Sequence, residues 1–214
     1  KKTWKFKAQN VRDFGISTSR KFIYDAMAVK TGSTNSMAIS LYPKEGNPLW
    51  EEYSTRMIAH TLKSYSSYTF DYPYPKAISI NAEDQGMEYP MITVCDILNQ
   101  EVIIHEVGHN FFPMIINSDE RQWSWMDEGL NTFCQYLAEQ EWDRNFPARR
   151  GEPQNIVPYM RLDAKNQVPI MANSENIMDF GNNAYAKPAT ALNILRETVM
   201  GRELFDYAFK EYAR

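Results

Sequence analysis

The amino-acid sequence predicts an α+β fold, an N-terminal mixed sheet followed by a mainly helical half. Three observations carry that expectation. Apolar runs of strand length, separated by turn residues, dominate the first eighty or so positions. Helical periodicity takes over after Asp96, broken only by one proline-rich stretch. No internal repeat or low-complexity linker separates the halves, so the 214 residues read as one domain, long enough to bury a core without staples.

Trp4 and Phe6 alternate with Lys5 and Lys7 in the manner of a strand. Residues 22–27 and 36–41 are the next strand candidates, separated by the turn-rich Thr31-Gly32-Ser33-Thr34-Asn35. Asn47 and Pro48 read as a cap with proline in the first helical position. From there Trp50, Tyr53, Met57 and Thr61 recur about one turn apart, giving an amphipathic helix to Tyr65. The loop Tyr72-Pro73-Tyr74-Pro75 leads into a strand at 77–80, and 91–94 is a short further strand. Asp96 can cap a helix from Ile97 to Phe112, stopped by Pro113. Ser124 and Asp127 have capping-box spacing, and Met126, Leu130, Phe133 and Leu137 form the buried stripe of the helix that follows. Residues 144–183 carry Pro147, Pro153, Pro158 and Pro169 and read as loop and short helix. A last helix pair spans 186–200 and 202–213, divided by Gly201.

Composition removes several function classes. With 43% hydrophobic and 14% aromatic residues the chain is not disordered. No run approaches the roughly 18 apolar residues of a membrane span. A net charge of −4 without any block of like charge argues against nucleic acid, and Lys1, Lys2, Lys5 and Lys7 read as a solvated edge. Cys95 and Cys134 are too few for a disulfide framework or a four-sulfur zinc site. The chain opens on Lys-Lys-Thr-Trp and stops inside an amphipathic run, which reads as a piece of a longer protein.

The chemistry is concentrated in His105-Glu106-Val107-Gly108-His109. Histidines four apart on a helix are separated by about 40° of rotation, so both imidazoles can reach one metal ion. Two of only three histidines in the chain are these. Glu106 can lean over a metal-bound water as general base. The third histidine, His60, has no partner motif and reads as structural. A catalytic zinc takes three protein ligands and keeps an open position. Glu128 follows His109 by nineteen positions, an interval that fits the end of one helix, a loop and the first turn of the next. A lone acid there would ordinarily just complement the helix dipole. The spacing and the small Gly129 beside it favour Glu128 as a ligand. Asp127 is a candidate supporting carboxylate, although capping alone would explain it.

HEVGH, eighteen intervening residues, then Glu128-Gly129 resembles the gluzincin metallopeptidases. Gln85-Gly86-Met87-Glu88-Tyr89-Pro90 upstream narrows the resemblance to the M1 family of zinc aminopeptidases, which includes aminopeptidase N and leukotriene A4 hydrolase. Val11-Arg12-Asp13-Phe14, Tyr74-Pro75-Lys76, Trp125 to Phe133 and Tyr185-Ala186-Lys187 extend it over nearly the whole chain. The resemblance implies that residues 1–214 are one thermolysin-like catalytic domain of a larger multi-domain protein. It implies one catalytic Zn2+ on His105, His109 and Glu128, with Glu106 activating its water. It further implies that Glu88 binds the free α-amine of a peptide substrate, that Gly86 and Met87 line the substrate, and that Tyr185 donates to the oxyanion. The sequence departs from the family at Tyr89, where Asn is usual, and at Pro188, where Gly is common. Its typical N-terminal β-sandwich and C-terminal helical domains would lie outside these residues. The Gly-Met-Glu-Tyr-Pro variant is similar to exported bacterial members, which points to the periplasm or secretion. The expected activity is hydrolysis of the N-terminal peptide bond. The alternatives are a zinc endopeptidase, a non-peptidase hydrolase such as an epoxide hydrolase, and a catalytically impaired zinc-binding domain.

Overall fold

The computed structural model describes residues 2–83, 86–96 and 99–214. Five strands form one mixed sheet: β1 (Ile23–Thr31), β2 (Thr34–Tyr42), β3 (Lys76–Asn81), β4 (Met87–Tyr89) and β5 (Ile92–Cys95), in spatial order β1-β2-β3-β5-β4. β1 and β2 form a hairpin with Thr31 opposite Thr34, turning at Gly32, whose φ of 53° suits a residue without Cβ. β2, β3 and β5 run parallel, and α1 (Thr55–Tyr68) supplies the crossover from β2 to β3. β4 returns antiparallel to β5 and is the sheet's outer edge. The expected strand at 91–94 therefore starts one residue later, because Met91 takes the left-handed turn conformation (φ 66°).

The expected alternation at Trp4 and Phe6 forms no strand. Both stay exposed, at 75% and 65%, because no sheet edge receives them. Lys2, Lys5 and Lys7 are solvated as expected, and Lys1 lies outside the described residues. Asn47 does not cap: it is extended, its bond to Pro48 is cis, and a wide π-type turn at Trp50–Ser54 begins the helix instead. α1 then runs to Tyr68, three residues past the expected end, burying Met57, Ile58, Leu62 and Tyr65.

α2 (Gln100–Gly108) is capped by Asn99, whose Oδ1 accepts from the Glu101 N–H at 3.0 Å, rather than by Asp96; Ile97, its expected start, lies outside the described residues. It also ends before Phe112. Phe112 precedes a proline, leaves helical geometry (φ −124°, ψ 109°) and turns the segment Asn110–Ile115 away. A second wide turn, Trp125–Gly129, leads into α3 (Leu130–Trp142). Ser124 makes no cap there; its N–H and hydroxyl both meet Ser174 Oγ at 3.1 Å. The proline-rich stretch holds α4 (Pro153–Met160); α5 (Lys187–Ile194) continues into a wide turn, Leu195–Met200, which Gly201, at φ 82°, divides from α6 (Arg202–Ala213).

α1 and α2 cover the sheet, α3 packs on both, and Tyr65, Phe111, Phe133 and Leu62 fill the space between them. Tyr65 spends its hydroxyl on Asn131 Oδ1 at 2.8 Å, so the aromatic centre of the core also braces α3. His60 is structural, with Nε2 bonded to the Ala138 carbonyl at 2.7 Å and its ring edge-on to Trp142. Cys95 and Cys134 are buried free thiols. No described helix is long and apolar enough to cross a membrane.

Candidate active site

His105 lies in the last full turn of α2 and His109 immediately after it, so the helix sets their rings edge to face, centroids 4.6 Å apart. Gly108 between them has no Cβ, which would collide with Asn131 and Tyr65; that closeness lets Asn131 Nδ2 donate to the His105 carbonyl at 2.9 Å. The wide turn before α3 swings Glu128 onto the same point. Gly129 permits it, because a Cβ there would run into Pro188.

Both imidazoles have their tautomers set from behind. His105 Nδ1–H donates to Gln135 Oε1 at 2.8 Å, and the Gln135 amide is itself oriented by donating from Nε2 to Glu139 Oε1 at 2.7 Å. His109 Nδ1–H donates to the Phe112 carbonyl at 2.8 Å, with Asp127 Oδ1 2.9 Å from the same nitrogen. With both rings neutral, the two Nε2 atoms present bare lone pairs to each other at 3.0 Å. Glu128 Oε2 stands 3.1 Å from one and 3.4 Å from the other. Three acceptors converging in this way repel one another unless a cation lies between them. Tetrahedral donors at about 2.05 Å from one ion would be about 3.3 Å apart. The donor set thus fits a single metal ion, and its two imidazoles and carboxylate are a known catalytic zinc set.

The charges of the protein alone are held in tension here. Burial opposes protonation of His105 and His109, yet Glu128 raises the first, and Glu88, Asp127 and Glu128 raise the second. Burial works to raise Glu128, but His109 and His105 hold it below the usual carboxylate range. Burial pushes Glu106 up to about 7 against the pull of both histidines, and Asp127 up to about 7 against His109. Glu106 Oε2 is buried with no hydrogen-bond partner, while Oε1 lies against Gly86, where a Cβ would displace it.

Tyr185 comes from the turn before α5 and stacks on His105, centroids 5.7 Å apart at 26°. Burial and then the neighbouring Glu128 carboxylate keep its hydroxyl protonated far above the usual range. Glu88 projects from β4 with Oε1 4.0 Å from His109 Nε2. Gly86, His105, Glu106, Gln135, Arg150 and Tyr185 are among the residues lining a cleft of about 530 Å3.

Of the site candidates from sequence, His105, His109, Glu128, Glu106, Glu88, Gly86, Asp127 and Tyr185 lie together here; Met87 faces outward, 37% exposed, and Gln85 of the upstream segment is outside the described residues. Asp127 turns toward His109 rather than capping α3. Sequence reasoning missed Gln135, the Phe112 carbonyl and Arg150. Only Gln135 carried a signal, being two helical turns after Glu128.

The peptidase family M1 domain profile matches residues 53–214. No curated protein matches the chain in sequence. Among solved structures, an M1 zinc metallopeptidase from Deinococcus radiodurans superposes with TM-score 0.70 at 21% identity, over 90% of this chain and 44% of that one. Legionella pneumophila aminopeptidase A, in complex with aspartic acid, gives TM-score 0.67 at 12% identity over 90% and 24%. Yeast LTA4 hydrolase gives 0.61 at 16% over 88% and 33%. The chain thus spans less than half the length of these structural relatives. They share its α+β fold, a mixed sheet leading into a helical half. Three quarters of the sequence falls under one profile, and on that ground the chain belongs to peptidase family M1.

Proposed function

We propose that residues 1–214 form one catalytic domain of a larger zinc aminopeptidase that removes N-terminal residues from peptides. The observation that carries this is the meeting of two bare imidazole nitrogens and a carboxylate oxygen within 3.4 Å, beside the unpartnered Glu106 oxygen. In support, a Deinococcus radiodurans M1 metallopeptidase of the same fold has been solved with a Tyr-Ser-Ala substrate.

His105, His109 and Glu128 would hold the ion. Bound zinc supplies Lewis acidity to the scissile carbonyl and lowers the pKa of water. Glu106 takes the proton of the attacking water and returns it to the leaving amine. Its buried, unpartnered oxygen is free for that proton, and burial makes it a stronger base than a solvated glutamate. Tyr185, kept protonated, donates its O–H to the developing oxyanion. β4 is an edge strand, so an extended peptide can pair along it past Gly86 and Met87. Glu88 sits beside His109, where its carboxylate meets a free α-amine and limits cleavage to the first bond.

The test compares one short peptide with a free or an acetylated amine, using the zinc-loaded protein and its Glu88→Gln variant. Cleavage of the free form alone, lost on Glu88→Gln, is expected. Equal cleavage of both forms would make the enzyme an endopeptidase. Zinc binding with neither form cut would support a silent binding domain.

A further inference from the structure

The cleft beside the donor set holds a guanidinium without a carboxylate. Arg150 is half-buried, with Cζ 4.3 Å over the Tyr185 ring. Its neighbour Arg149 is 75% exposed and pairs with Glu101 at 3.3 Å. No described carboxylate lies within 4.0 Å of Arg150. Among the described residues its guanidinium has no hydrogen-bond or ion-pair partner, and a guanidinium with N–H groups to spare can capture a carboxylate in bidentate fashion.

The position of this charge along the substrate follows from β4. Glu88 stands at His109, whereas Gly86, two residues earlier on the same segment, lies against Glu106 and lines the cleft. A peptide anchored by its amine at Glu88 and paired along β4 therefore carries its leaving portion past Gly86 toward Arg150. Tyr185 bridges the distance: its ring is 5.7 Å from His105 and 4.3 Å from Arg150 Cζ, which puts the guanidinium at most about 10 Å from the His105 ring. An extended residue spans about 3.5 Å. The terminal carboxylate of a peptide with one residue beyond the scissile bond falls within that reach, one with two lies at its limit, and longer chains overshoot.

We propose, resting on the aminopeptidase reading, that Arg150 binds the C-terminal carboxylate of the substrate, which makes dipeptides and tripeptides the preferred class. The neighbouring acids leave this cation available: Glu101 is engaged by Arg149, neither Asp96 nor Glu106 pairs with Arg150, and Glu139, which feels its charge, is kept protonated by burial and forms no salt bridge with it.

The test is calorimetric binding to the zinc-loaded Glu106→Gln variant, which holds substrate without turnover. The probes are Ala-Ala, its C-terminal amide and N-acetyl-Ala-Ala. Ala-Ala is expected to bind about 10–100-fold more tightly than its amide, the range of a charge-assisted bidentate pair. Adding Arg150→Gln should bring the two within threefold while leaving the amide's affinity unchanged. If Arg150→Gln weakens acid and amide alike, Arg150 only props Tyr185 and the proposal fails. Equal binding of acid and amide, with loss on acetylation, overturns the carboxylate site and leaves the aminopeptidase reading standing. Loss on amidation but not on acetylation does the reverse. Binding of none overturns both.

Discussion

Replacing Gln135 by leucine tests whether the protein sets the metal from behind its ligands. Gln135 is buried, and its Oε1 is the acceptor, at 2.8 Å, for His105 Nδ1–H. Leucine fills similar volume but leaves the Nδ1–H of a buried ring without its acceptor. An orphaned buried donor costs about 1–3 kcal/mol. The cost is largest when the imidazole must keep Nδ1 protonated to offer Nε2 to the ion, so it falls on metal binding. Zinc affinity should drop about 10–100-fold, the usual toll of deleting such an orienting partner. Chelator competition gives the dissociation constant, and circular dichroism confirms the fold. A folded Gln135→Leu protein that binds zinc within threefold of wild type would refute the reasoning. Gln135→Glu should hold affinity, since a carboxylate also accepts from Nδ1. Glu139, which burial pushes up to about 8, stays protonated and can donate to it.

Glu106→Gln should lower the turnover rate by about 10²–10⁴, the range for a lost general base, with zinc affinity within threefold of wild type; a wild-type rate would sink the mechanism. Gly86→Ala places a methyl group where Glu106 Oε1 lies, so the base must swing aside. The rate should fall at least tenfold, roughly, with zinc retained, since misplacing the base costs more than losing contact area. The pH dependence of the chelated protein follows from the raised carboxyls. Glu106 and Asp127 at about 7 and Glu139 at about 8 hold protons that the unfolded chain releases near pH 4–4.5. Their stabilisation is complete below those unfolded values and disappears as pH rises through 7–8. Melting temperature should therefore fall between pH 5 and pH 8, less steeply in Glu139→Gln and less steeply again with zinc bound, whose charge replaces the protons. A rise over that interval would contradict the burial of these groups.

What could be read from the sequence was what depends on local period. His105 and His109 share a face because α-helix geometry is independent of context, and Glu128 followed from the length a loop and half a turn consume. What could not be read depends on choices made at a distance. Asp96 and Asn99 are equally good caps in isolation; Asn99 holds the post, its Oδ1 accepting from the Glu101 N–H at 3.0 Å. Ser124 and Asp127 have the spacing of a capping box, but the wide turn at Trp125–Gly129 gives Ser124 to Ser174 and Asp127 to His109. β4 has three residues, too few for alternation to register, and becomes a strand only because β5 lies beside it. Arg150 is an ordinary surface-type residue until Tyr185 is folded beneath it. Gln135 is the exception. Seven residues after Glu128, it returns to the same face of α3 two turns on, and two imidazoles that must both offer Nε2 to one ion each require an acceptor behind Nδ1. The buried polar residue at that position was the acceptor the chemistry already demanded.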